Sequence, residues 1–183
     1  MKHMKHEEQT VDKVSVILCK ACRDVVSSCT GMQVSYAETL QIVPKVSLSP
    51  DLGCFVTIGG DYRGLVVFNF TSRSAMRIYK NYMTTMGINE ASLASDYTSV
   101  EVADAIGEVS NQITGAFLRQ TQEAYQLTAS CGQPKALAVN SQISLIIESS
   151  CSEHRRMSFC IGNDRFSVEL ALEQTEFIKL PSC

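Results

Sequence analysis

The chain has no tryptophan, only three histidines and only four prolines in 183 residues. Two of the histidines, His3 and His6, sit in a polar N-terminal stretch, and His154 stands beside Arg155 and Arg156; all three read as solvated side chains. There is no cluster of histidines and carboxylates at metal-ligand spacing, so no intrinsic metal is expected. The 16 basic residues are scattered among 19 acidic ones, giving a formal charge of −3 and no basic run. A surface that tracks nucleic acid is therefore not expected. No apolar stretch reaches the roughly 20 residues a bilayer-crossing helix needs. Met1 to Gln9 is rich in His, Lys and Glu and lacks the apolar segment of a secretory signal. The expectation is a soluble cytoplasmic protein without membrane insertion. The glycines of Gly59-Gly60-Asp61-Tyr62-Arg63 match neither a dinucleotide fingerprint nor a P-loop, and no helix follows them.

Cysteine, by contrast, is plentiful. Eight are present: Cys19, Cys22, Cys29, Cys54, Cys131, Cys151, Cys160 and Cys183. Most fall in apolar segments, where the thiol behaves as a small buried hydrophobe. Cys19-Lys-Ala-Cys22 is a single C-x-x-C inside a helical pattern, with no second pair at zinc spacing and no strand-to-helix turn before it. Redox or zinc chemistry there is the remote reading.

Hydrophobic residues make up 45% of the chain, enough for one substantial core. Residues 1–9 are expected to be disordered, 10–172 to form one domain, and 173–183 to be a tail of uncertain order. Thr10 is a plausible helix N-cap; the apolar spacing from Val11 to Val26 is helical and stops at Gly31. Gln33 to Val43 reads as a strand. Cys54 to Ile58 and Gly64 to Phe70 read as a hairpin around the Gly-rich turn. Ser72 is the expected cap of a helix closed by Gly87. A long helix is expected from about Tyr97 to Glu123. Four strand candidates follow: Tyr125 to Ala129, Ala136 to Val139, Ile143 to Glu148, and Met157 to Ile161. A turn at Gly162-Asn163-Asp164 leads to a fifth, Phe166 to Leu172.

The long helix carries the chemistry. With about 100° per residue and Asp104 set at zero, Glu108 falls near 40° and Asn111 near −20°. Val102, Ile106, Val109, Ile113 and Phe117 lie roughly between 140° and 220°, forming the stripe that should be buried. A carboxylate, a second carboxylate and a carboxamide are thus presented together, away from the core. Gly107 and Gly115 lie near this face, where a missing side chain lets another surface approach. Leu118, near −40°, is available as an apolar docking contact or as a core residue. A Glu-x2-Asn pair by itself is an ordinary solvent face. Here Asp104-x3-Glu108-x2-Asn111 is followed by 22 residues and then Pro134.

That spacing resembles the signature of the CheC/CheX/FliY family of bacterial chemotaxis phosphatases. The run from Phe55 to Phe68 resembles that family's strand pair around a Gly-x-x-x-Gly turn, and Ser74 to Ile78 resembles the helix that follows. The likeness runs from about Val11 to Leu172 and is closest to CheX, which carries one motif. On the first helix the corresponding spacing holds Ser15-x3-Cys19-x2-Cys22, which could not do the same chemistry. The resemblance implies an α+β single domain, a mixed or antiparallel sheet packed by long helices, and a homodimer. It implies a hydrolase acting on the phospho-aspartate of a CheY-like response regulator. The regulator would bring its own Mg²⁺, so the phosphatase itself would need no cofactor. Asn111 would orient the attacking water and Glu108 would pair with a lysine of the regulator. Asp104, Gly107, Gly115 and Leu118 would serve docking, and Pro134 would shape the turn after Cys131-Gly132-Gln133. A docking module of the same fold, without turnover, is the alternative.

Overall fold

A computed structural model of the chain describes residues 10–145 and 152–173. Three helices lie on one face of an antiparallel sheet. Helix α1 (Thr10–Thr30) stops where Gly31 turns left-handed at φ 68°, a conformation that costs glycine nothing. Strands β1 (Val34–Tyr36) and β2 (Gln41–Ile42) both pair with β9 (Ser152–Ile161). The continuous strand expected from Gln33 to Val43 is thus interrupted, because its register on β9 slips by two residues between Tyr36 and Gln41. The extra residues bulge out of the ladder.

The hairpin of β4 (Leu52–Gly60) and β5 (Gly64–Phe70) forms as expected, though its first strand begins earlier. Helix α2 (Ser72–Thr85) is capped by Thr71 rather than Ser72, the Thr71 hydroxyl accepting from the Ser74 amide. Helix α3 (Val100–Tyr125) is capped by Ser99, so the helix starts three residues later than expected. At its far end Tyr125 is still helical and Gln126 closes the turn at φ 61°. This displaces the strand expected at Tyr125 to Ala129; β6 is Ala129–Cys131. Strand β7 (Lys135–Ala138) follows. Of the expected Ile143 to Glu148 strand, β8 (Ile143–Ser144) is seen, and residues 146–148 lie outside the described residues, as do 1–9 and 174–183. Strand β8 pairs with β3 (Ser47–Leu48) in a small separate sheet.

The main sheet runs β1-β9-β10-β5-β4-β6, with β10 spanning Asp164–Glu173. Strand β2 also lies on β9 and β7 on β4. Side chains alternate across this sheet. Leu52, Cys54, Val56 and Ile58 of β4 face the helices, as do Val66, Phe68 and Phe70 of β5 and Phe166, Val168, Leu170 and Leu172 of β10. They meet Leu18 and Val26 of α1, Ile78 and Tyr79 of α2, and the α3 stripe. The opposite face is covered too. Leu65, Val67 and Ala171 pack there against Val46, Leu48 and Val139. Two faces buried at once explain why Leu65 to Phe68 of β5 read as an unbroken apolar run.

The second layer is fastened by two buried polar side chains. Asn69 donates to the Ser47 carbonyl at 2.9 Å and accepts from the Ser49 amide at 2.7 Å, taking the place of a backbone amide. Glu169, fully buried, accepts from the Ser47 amide at 2.9 Å and pairs with Arg156 at 2.7 Å. On the helix side, buried Arg155 bonds Asp12 at 2.6 Å and so ties the start of α1 to β9.

Candidate functional site

Helix α3 forms the expected buried stripe: Val102, Ile106, Val109, Ile113 and Phe117 are each fully buried. The face opposite is exposed at Asp104 and Glu108 and half-buried at Asn111. Glu108 accepts a hydrogen bond from the Gln112 amide at 3.0 Å, one turn on. Burial first, and then the Glu108 charge, push the Tyr82 phenol of α2 above its ordinary range, so Tyr82 borders this face.

A second wall stands beside α3. Residues Gln133 to Ala136, on the step from β6 to β7, face Ala103, Asp104, Gly107, Glu108 and Asn111 across an open groove of about 600 Å³. The step is pinned to the sheet: Ile58 pairs with Cys131, and the Gly132 amide donates to the Thr57 carbonyl at 2.9 Å. A Cβ at Gly132 would stand 2.5 Å from the Thr57 hydroxyl, which would have to rotate away to admit a side chain there. Pro134 comes next and packs toward Gly107, where an added Cβ would lie 3.9 Å from its ring. Lys135 places a cation on this wall, opposite the carboxylates.

The structure therefore brings Asp104, Glu108, Asn111 and Pro134 to one groove. Two of the remaining docking candidates are buried. Gly107 is buried, and the surface it admits is the chain's own Pro134 loop. Leu118, 9% exposed, belongs to the core. Strands β6 and β7 pack against α3, and the Pro134 loop between them reaches Gly107. Gly115 is half-buried, and a Cβ there would meet only the end of Arg119 at 3.8 Å.

Sequence reasoning did not single out Cys131, which reaches the Asn111 carboxamide oxygen with its thiol at 3.8 Å. Nor did it find Gln112, Tyr82 or Lys135. The i, i+4 spacing of Glu108 and Gln112 was the one local signal available. The Ser15, Cys19 and Cys22 set on α1 is buried, so those positions pack into the core and present nothing to a partner. Among the described residues no group of three His, Cys, Asp or Glu side chains could hold a metal ion. No helix among them is long and apolar enough to cross a membrane.

A model of the DUF3334 family, described as a protein of unknown function, matches residues 5–183. The chain belongs to that family. No curated protein matches it by sequence. Among solved structures it is similar to a chemotaxis protein CheX from Desulfovibrio desulfuricans, with a TM-score of 0.74 and 22% identity over 88% of this chain and 99% of that one. It is similar to the CheX–CheY–BeF3–Mg²⁺ complex from Borrelia burgdorferi, with a TM-score of 0.66 and 15% identity over 88% of this chain and 98% of that one. Thermotoga maritima FliY gives a TM-score of 0.64 and 16% identity over 98% of this chain and 95% of that one. The α+β fold that the resemblance implied is thus the fold found, that of CheX, CheC-like and FliY proteins.

Proposed function

We propose that this chain is a phosphatase of a CheY-like response regulator, acting in the cytoplasm as a homodimer. The observation that supports it is the pairing of Glu108 and Asn111 on the open side of α3, with Pro134 closing the groove behind them. In this reading Asn111 enters the regulator's site. Its carboxamide offers both a donor and an acceptor, enough to hold a water in line with phosphorus. Holding the water there lowers the barrier through position alone, as a glutamine does in GTPases. Glu108 pairs with a lysine of the regulator, fixing the docking register. Asp104, one turn earlier and exposed, adds to the acidic docking face. The regulator supplies Mg²⁺; the phosphatase contributes no metal of its own. A further support is that one structural neighbour is a CheX held with CheY.

The test is the decay of radiolabelled phospho-regulator, with wild type and with Asn111→Ala. Faster decay with wild type that disappears in the variant supports the reading. No acceleration across the response regulators of the source organism would sink it, and a docking module of the same fold would remain.

A further inference from the structure

Asn111 is the residue on which the proposed chemistry turns, and one side of its amide is already engaged. Among the described residues its hydrogen bond is the one from Cys131, whose thiol lies 3.8 Å from Oδ1. Asn111 lines the groove, and Cys131 does not. The thiol is a donor reaching the amide from the strand side. Its own place is fixed by the pairing of Cys131 with Ile58 and by the Gly132 amide on the Thr57 carbonyl. Cys131 is thus anchored to the edge of the sheet while Asn111 is anchored to α3, and the S–H···O contact bridges the two walls.

An asparagine amide has two nearly isosteric orientations, with oxygen and nitrogen exchanged. A donor beside one end selects the orientation in which oxygen faces it. We infer that Cys131 is a positioning residue for Asn111: its thiol holds Oδ1, which keeps the Nδ2 hydrogens and the remaining oxygen lone pair toward the groove. This rests on the proposed phosphatase reading. It adds a residue that acts through Asn111 and touches neither water nor phosphoryl group. The role needs the S–H proton, because a sulfur without it cannot donate. Serine keeps a donor at this position with a shorter reach, whereas alanine and valine remove it.

The experiment compares wild type with Cys131→Ala, Cys131→Val and Cys131→Ser. With asparagine-selective ¹⁵N labelling, the side-chain NH₂ pair of Asn111 (assigned by its loss in Asn111→Ala) should shift in the alanine and valine variants. In the serine variant, whose hydroxyl sits farther from Oδ1 than the thiol does, it should shift less than in the alanine variant. Cys160→Ala, an exposed thiol on the other face of the sheet, is the control and should leave the pair unmoved. In phospho-regulator decay the donor-free variants should lower kcat by about 3–10-fold with KM unchanged, the scale of one hydrogen bond, with serine falling between them and wild type. An Asn111 pair that does not move in either donor-free variant overturns the inference, whether or not the protein is a phosphatase. A pair that moves while kcat stays at the wild-type value overturns the positioning role. If wild type accelerates no regulator, the phosphatase reading falls and the resonance shift alone decides the contact. The valine variant keeps the side-chain bulk if alanine does not fold.

Discussion

Pro134 stands against Gly107, its ring 3.9 Å from where a Cβ on that glycine would be. The contact joins the two ends of the motif, the helix and the proline separated from Asn111 by 22 residues. A methyl group fits there as an ordinary contact. Gly107→Ala should therefore fold normally and gain about 0.5–1 kcal/mol of helix stability, read as a higher melting temperature. Gly107→Leu should push the Pro134 loop outward and lower the rate of regulator dephosphorylation. Equal melting and equal activity in both variants would show that the loop does not depend on that contact.

Asn111→Ala should cost about 100-fold or more in catalysed decay, the scale found when one aimed polar group is removed from a reacting centre. Glu108→Gln should act differently. It removes a charge and keeps the shape, so KM should rise several-fold and its dependence on salt should flatten, with kcat changed less. Steady-state kinetics at low and moderate salt separates the two effects.

Ser15 is fully buried in α1, and among the described residues its hydroxyl has no hydrogen-bond partner. An unpartnered buried hydroxyl costs free energy, and alanine is the better helix former. Ser15→Ala should raise stability by about 1 kcal/mol in urea unfolding. A loss of stability would mean that the hydroxyl has a partner.

Burial pushes the Cys19 thiol up to about 12 and that of Cys29 up to about 11; Cys22 is raised well above its ordinary value, by burial first. These groups keep their protons in the folded chain and lose them more readily unfolded. Their contribution is complete below the ordinary thiol value of 9.0 and is lost as pH rises toward the folded values. The urea midpoint should fall as pH rises from about 9 toward about 11. In native labelling with a thiol reagent near neutral pH, exposed Cys160 should react well before Cys19 and Cys22. Rapid modification of Cys19 and Cys22 in the folded protein would revive a redox role for that pair.

Glu169 is fully buried between Arg156 and the Ser47 amide. Glu169→Ala would leave a guanidinium and a backbone donor without their acceptor. It should destabilise the chain by about 3–5 kcal/mol, measured by chemical denaturation, and loosen residues 46–49 first in amide exchange.

Much of this was legible because α3 carries its information locally. Five apolar residues at helical period fix which face is buried, and the residues opposite must then be presented. The strands of the hairpin and of β10 were legible for the same reason, as period-2 or unbroken apolar runs between turn residues. What the sequence did not disclose depends on neighbours remote along the chain. The helical projection leaves Gly107 and Leu118 open, yet the Pro134 loop stands over Gly107 and Leu118 is buried in the core. Cys131 lies 20 residues from Asn111 and gives no periodic signal for the contact between them. The interruption between β1 and β2 is a slip against β9, more than 100 positions later. The choice of Thr71 over Ser72 as cap is a one-residue matter between two hydroxyls of similar capping strength.

The outer side of β4 is shared between two short strands. Strand β6 takes Ile58 to Gly60 and β7 takes Leu52 to Phe55. The stretch between them is where the chain steps past the groove, carrying Gly132 and Pro134. A sheet border so divided offers no long row of free amides and carbonyls on which a partner could lay a strand of its own. On the proposed reading, a regulator arriving on this side is recognised by side chains projecting from a helix. Contacts of that kind part without unzipping a shared strand, which would suit an enzyme that releases its product after each turnover.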